Sequence, residues 1–357
     1  MSEIFTVLVI AALIFIVVSV IMKANHKNAG ARSMAGRTNR LAPWPAAAPP
    51  AALGVPYGHP ARQAAERLEA ALGSDFESRV KDRVLKNRPG MSDKEWDWNW
   101  FELKRYFLMC ALLRNVPMYS RQADELWHEM LMFTREYEQF CMQFCGDMIH
   151  HAPHAPGVQP AADERAWFDW VYGELFAASP VGGRVWGAFY RTGLSKGKLE
   201  ELSGGSPQEL RERWFNGKTT SKHRDLAATA DFLIERAKTQ LAAARQSGKP
   251  VKPKAASAGY TASDLGLGGV GLLSGLLIYH SVSSPDDFAR QMDKELSEEE
   301  RQASTGSSTY ACSASSDDGR DHGDGGSGHD GGSGGGDGGG GGSSCGSSCG
   351  GGGGCSS

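Results

Sequence analysis

Between about residues 61 and 245, apolar side chains recur at three- and four-residue intervals, the spacing that lines one face of a helix. The pattern predicts helices over residues 64–72 and 76–85. A third carries Trp96, Trp100, Leu103, Phe107, Cys110 and Leu113, and Ser92-x-x-Glu95 supplies a capping signal ahead of it. A fourth starts near Arg121 and runs to about Cys145 on a wide stripe of Leu126, Trp127, Met130, Phe133, Tyr137, Phe140, Cys141 and Phe144. Further helices are expected over 161–178, 183–190, 207–215 and 224–245, with a short charged one over 286–301. No alternating run is long enough to propose a sheet, so the expected fold class is all-α.

Two stretches are apolar without that periodicity. Residues 4–22 hold no charge, Pro or Gly. As a helix they would span about 28 Å, close to the thickness of a hydrocarbon core. The short acidic start, Met1-Ser2-Glu3, and the long apolar run favour an uncleaved transmembrane helix over a cleaved signal peptide. Lys23, Lys27, Arg32, Arg37 and Arg40 follow, and no acid appears before Glu66. By the positive-inside rule the expected localisation is the membrane, with the N-terminus outside and the helical domain, residues 61–245, cytoplasmic. Residues 23–60, basic and then Pro/Ala-rich, read as a linker and semi-rigid spacer.

The second apolar stretch, LGLGGVGLLSGLLIY, makes residues 265–282 a candidate second membrane segment. It is short for a crossing and rich in Gly, although Gly271-x3-Gly275 is a pair that suits packed membrane helices. A buried hairpin or a surface-lying helix are the alternatives. Gly266, Gly268 and Gly271 also spell G-x-G-x-x-G, but no strand precedes them, and a dinucleotide loop needs one.

Composition narrows the function classes. Twenty-two of the 46 glycines fall in residues 303–357, a Gly/Ser/Asp/Cys-rich tail expected to be disordered because it cannot bury enough apolar surface. A formal charge of −3 over 357 residues argues against nucleic acid as a partner. Seven cysteines, four of them in the tail, argue against a disulfide-stapled domain. Cys312, Cys345, Cys349 and Cys355 could bind soft metals, carry lipid or form intermolecular disulfides.

The candidate chemistry centres on Asp124 and His128, four residues apart and so on one helix face. The carboxylate can fix one imidazole tautomer and leave the other nitrogen as a base or a metal ligand. His150 and His151 form a second candidate pair. A straight helix would hold His128 about 33 Å from His150, so the pairs meet only if the chain breaks near Gly146 or a partner subunit joins them. A structural Asp–His pair is the competing reading, and the neighbouring Trp127, which wants burial, supports it. Cys141 and Cys145, with His150, His151 and His154 nearby, resemble a zinc set, but core thiols are the favoured reading. Trp96, Trp98 and Trp100 differ in helix face, so at least one is expected at the surface. No nucleophile elbow, catalytic carboxylate pair or Walker-type loop is present, which leans against an enzyme.

Residues 92–154 contain Glu102-Leu103-Lys104-Arg105-Tyr106-Phe107 and Ala123-Asp124-x-x-Trp127-His128. They continue with Thr134-x-x-Tyr137-x-x-Phe140-Cys141, Gly146 and His150-His151-x-Pro153. This ordered set resembles the glycine-rich domain-containing protein-like family of plants and bacterial membrane proteins. Ala123 stands where Val commonly precedes the Asp, a small departure. The resemblance implies a helical domain, with the anchor and tail of the membrane-bound bacterial members, and no defined activity. The expectation is a membrane-tethered helical interaction module with protein partners. The alternative is a divalent-metal site built from Asp124, His128, His150 and His151.

Overall fold

The helix that organises the fold is buried on nearly every side beyond its first turn. It spans Asp93–Leu112 and buries Trp96, Trp98, Trp100, Phe101, Leu103, Tyr106, Phe107 and Leu108 in succession. A helix that leaves no face to solvent must be surrounded. The computed structural model describes residues 43–151, 161–247 and 270–296, and within them thirteen α-helices and no strand. In chain order they are α1 (Arg62–Leu72), α2 (Ser74–Asn87), α3 (Asp93–Leu112), α4 (Arg121–Leu131), α5 (Thr134–Phe144) and α6 (Ala162–Leu175). Then come α7 (Gly182–Trp186), α8 (Lys196–Gly204), α9 (Pro207–Trp214), α10 (Gly217–Lys222) and α11 (Arg224–Ser247). The last two are α12 (Val270–Ser283) and α13 (Phe288–Glu295). The apolar segment at 4–22 and the tail at 303–357 lie outside the described residues.

Around α3 pack α1, α4, α7, α10 and α11, and a tight turn at Ala51–Gly54. Ser92 caps α3 by accepting from the Glu95 N–H at 3.2 Å. All three tryptophans near its start are buried, at 1–3 % exposure, against the expectation that one would face solvent. Trp96 and Trp100 stack on each other at 5.0 Å, and Trp98 is bonded by a segment that the sequence reads as a spacer. Residues 43–55 lie against the domain as a strap, where Pro45 O accepts from Trp98 Nε1 at 3.3 Å and Leu53 is fully buried. The strap turns through Ala52, Leu53 and Gly54, all with positive φ, and Ala177 N donates to Gly54 O at 2.9 Å.

The apolar stretch near 270 is a core helix over its described part. α12 packs on α6 and α11 with Leu276, Leu277 and Ile278 buried. Glu174 of α6 fixes it in place. Its Oε1 accepts from Ser274 Oγ at 2.5 Å and from Gln240 Nε2 at 2.7 Å, and its Oε2 from Arg236 Nε at 3.1 Å. The Leu194 N–H donates to Ser281 Oγ at 2.9 Å. Over its described part the candidate second membrane segment is a fourteen-residue helix with protein partners, and residues 265–269 lie outside the described residues. Among the described residues no helix is long and apolar enough to cross a membrane.

Candidate functional site

The single helix expected from Arg121 to Cys145 is two. α4 ends at Leu131, Phe133 leaves helical geometry at φ −99°, ψ 62°, and α5 begins at Thr134. Phe133 inserts edge-on against Phe76 of α2, with ring centroids 6.0 Å apart. The break lets α4 pack on α2 and α3 while α5 packs on α1. A second reversal follows at Gly146, whose φ of +72° suits glycine. The chain then runs back along α4 as a return segment, residues 145–151. Two breaks, at Phe133 and at Gly146, remove the separation that a straight helix would impose.

The return brings His151 onto Asp124. His151 Nε2 lies 2.6 Å from Asp124 Oδ1, and His128 Nδ1 lies 3.7 Å from Asp124 Oδ2. The two imidazole rings are 4.5 Å apart, tilted at 49°. One ligand atom from each of the three residues falls within 4.8 Å of the others. His150 is exposed and stands outside this trio, and His154 lies outside the described residues.

Each member has a clear local origin. Ser120 caps α4 by accepting from Ala123 N at 3.1 Å, which places Asp124 in the first turn, where the helix dipole favours a carboxylate. His128 follows one turn later, on the open side, with its side chain 54 % exposed against 11 % for His151. Behind them stands an aromatic wall. Trp127 meets the His151 ring edge-on at 4.5 Å, and Tyr106 and Phe107 meet Trp127 edge-on at 5.7 and 5.3 Å. Burial, with Cys110 and Asp124 adding repulsion, raises Tyr106 well above the usual phenol range, so its hydroxyl stays protonated and donates to Val116 O at 2.7 Å.

Cys141 and Cys145 belong to the core. Both are fully buried, and Cys145 Sγ donates to Asp147 O at 3.1 Å. Burial raises both thiols, Cys145 to about 11, which disfavours the thiolate. They stand apart from the Asp–His–His group. In the sequence Tyr137 belongs to the core stripe and to the family motif, with no part in the site. Its hydroxyl in fact accepts from Trp127 Nε1 at 3.1 Å and donates to Ile149 O at 2.5 Å, joining α4 to the return segment.

The profile of the UCP032817-like family matches residues 66–166, a stretch that contains every member of the trio. Comparison with curated proteins and with solved structures finds no significant match in either.

Proposed function

We propose that this chain is a membrane-tethered helical module that holds a divalent transition metal on Asp124, His128 and His151. One observation carries the reading: two imidazoles converge on one carboxylate. A structural tie would need only the His151 bond, yet a second, half-exposed imidazole faces the same carboxylate. Ligand atoms around a metal such as zinc, with bonds of about 2.0–2.2 Å, sit roughly 3–3.5 Å apart. The 2.6 and 3.7 Å separations run to different oxygens of the carboxylate, and one ligand atom of each residue falls within 4.8 Å of the others, so the side chains would rotate inward to seat an ion. Two nitrogens and one carboxylate suit zinc, iron or manganese. Three protein ligands leave positions open on the His128 side, where a partner's carboxylate or imidazole could complete the shell. That open side joins the metal reading to an interaction role.

The tether rests on the charge-free run at 4–22 and the basic residues after it, which favour a cytoplasmic domain. The finer likeness to the glycine-rich domain-containing protein-like family rests on Asp124-x-x-Trp127-His128 and His150-His151, both inside the matched stretch. Metal analysis of the purified full chain tests the proposal. One equivalent of zinc, iron or manganese should be lost in both His128→Ala and His151→Ala, with helix content unchanged. Metal held by tail Cys or His would survive in both variants. Equal content in all three proteins would remove the proposal.

A further inference from the structure

We infer that Tyr137 is a positioning residue for this site: its phenol bonds both arms at once and so sets His151 against Asp124. The affinity readout below rests on the metal reading. Trp127, whose indole N–H the phenol accepts, lies between Asp124 and His128 on α4. Ile149, whose carbonyl takes the phenol's proton, lies two residues before His151. Besides a hydrogen bond between the Ile149 backbone and the buried Cys141 thiol, further holds on the return segment act earlier. Lys222 Nζ donates to Gly146 O, Lys218 Nζ lies 3.7 Å from Asp147 Oδ2, and Cys145 Sγ reaches Asp147 O. Between Asp147 and His151 the phenol ties the backbone to the domain. Its ring is 2 % exposed, packed against Phe107 and Phe140. Burial keeps the hydroxyl protonated, which it must be to donate. Such outer partners orient ligands, and their loss commonly weakens metal binding about 10–100-fold.

Tyr137→Phe keeps the ring and removes both hydrogen bonds. The test uses the full chain with accessible thiols alkylated, titrated with Co(II) and read by visible absorption against His151→Ala. A second readout is the imidazole 15N shifts of His151, which report its bond to Asp124 with or without metal. Thr229→Val removes a different buried hydroxyl bond, to Asp225 O on α11, and controls for general destabilisation. The expected result is Co(II) binding weakened at least about tenfold in Tyr137→Phe, with altered His151 nitrogen shifts and neither change in Thr229→Val. Unchanged affinity with unchanged shifts would overturn the inference while leaving the metal reading intact. If wild type and His151→Ala take up Co(II) alike, the metal reading falls. The positioning role then stands on altered nitrogen shifts and is overturned by unaltered ones. Should Tyr137→Phe fail to fold, Trp127→Phe, which removes the donor that orients the phenol, replaces it with the same readouts and the same overturning result.

Discussion

Replacing Arg105 with Met tests whether the centre of the domain depends on one buried charge. Arg105 and Glu102 are both fully buried on α3. The guanidinium donates to Leu53 O at 2.9 Å, to Tyr172 Oη at 2.6 Å and to Ala177 O at 3.0 Å. Its Nη1 lies 3.7 Å from Glu102 Oε1, and its centre lies over the Phe101 and Phe176 rings at 4.3 and 4.8 Å. Met fills most of the volume but leaves Glu102 without its counter-charge. Breaking a buried pair on one side costs about 3–5 kcal/mol. Each carbonyl left without a donor adds roughly 1–3 kcal/mol unless water reaches it. A loss of at least about 4 kcal/mol is therefore expected, a large part of the roughly 5–15 kcal/mol that a domain has. Urea unfolding followed by circular dichroism measures it. The strap should also loosen, because Arg105 holds the Leu53 carbonyl, so limited proteolysis should cut sooner within residues 43–55. Adding Glu102→Gln removes the stranded charge and should restore about 2 kcal/mol. A loss under about 1 kcal/mol, or a double variant weaker than the single one, would refute the reasoning.

Trp127→Ala should cost about 3–5 kcal/mol in urea unfolding, since the ring is 2 % exposed and walls the site; a loss under about 1 kcal/mol would mean the ring bears no packing load. Ser274→Leu, harmless in a bilayer-facing helix, should cost about 1–3 kcal/mol by overpacking α12 and removing a donor from Glu174, and an unchanged urea midpoint would contradict the core assignment. Burial raises the Asp169 carboxyl from 3.8 to about 6, so its contribution to stability is full below pH 4 and lost as pH rises through 6. Burial lowers His59 from 6.5 to about 4, so its contribution is full above pH 6.5 and lost as pH falls through 4. Between pH 4 and 6, Asp169→Asn should therefore make stability climb more steeply with pH than in wild type, and His59→Asn less steeply, by up to about 3 kcal/mol each; parallel profiles would refute both.

Periodicity predicted most helices because each buries one stripe, and stripes are visible in sequence. The break at Phe133 was not visible. Residues 131–134 contain no Gly or Pro, and the chain turns where a half-buried Phe133 packs edge-on against Phe76, a tertiary contact. The strap failed for a similar reason. Pro and Ala read as spacer by composition, yet Leu53 and Gly54 give up their carbonyls to Arg105 and Ala177 N. α8 and α10 are short and weakly patterned, and neither was expected. At the site, the Asp124–His128 spacing was legible as a helix face. The choice of His151 over its neighbour His150 was not, because adjacent residues are equivalent in sequence until the backbone turns one inward. The packing of the strap and of α12 also means that a fragment cut to residues 61–244 would lose two pieces of its core, so tests belong on the full chain.

Two polar clusters meet at α3 and its neighbours, and their burial separates their roles. In the first, all three guanidinium nitrogens of Arg105 are taken by protein acceptors, and Glu102 Oε2 accepts from both Tyr172 Oη at 2.7 Å and Trp186 Nε1 at 2.8 Å. Every group there is fully or almost fully buried, and Glu102 Oε1, which accepts no hydrogen bond, faces Arg105 Nη1 at 3.7 Å, so the cluster is closed to a ligand by burial. Such a network specifies packing. The second cluster is satisfied only on its inner side. His151 is held by Asp124 and the Trp127 edge, while His128 keeps half its surface in solvent and meets the carboxylate only at 3.7 Å. A group that is rigid behind and open in front costs little to reorganise when an ion arrives, which is the condition for tight binding by few ligands. Rigidity comes from the aromatic wall and the Tyr137 tie, and openness from the position of His128 one turn beyond the cap. The closed network at Glu102 therefore supports the fold that holds α4 in place, and the open one at Asp124 is the cluster to which the metal proposal assigns an outside species.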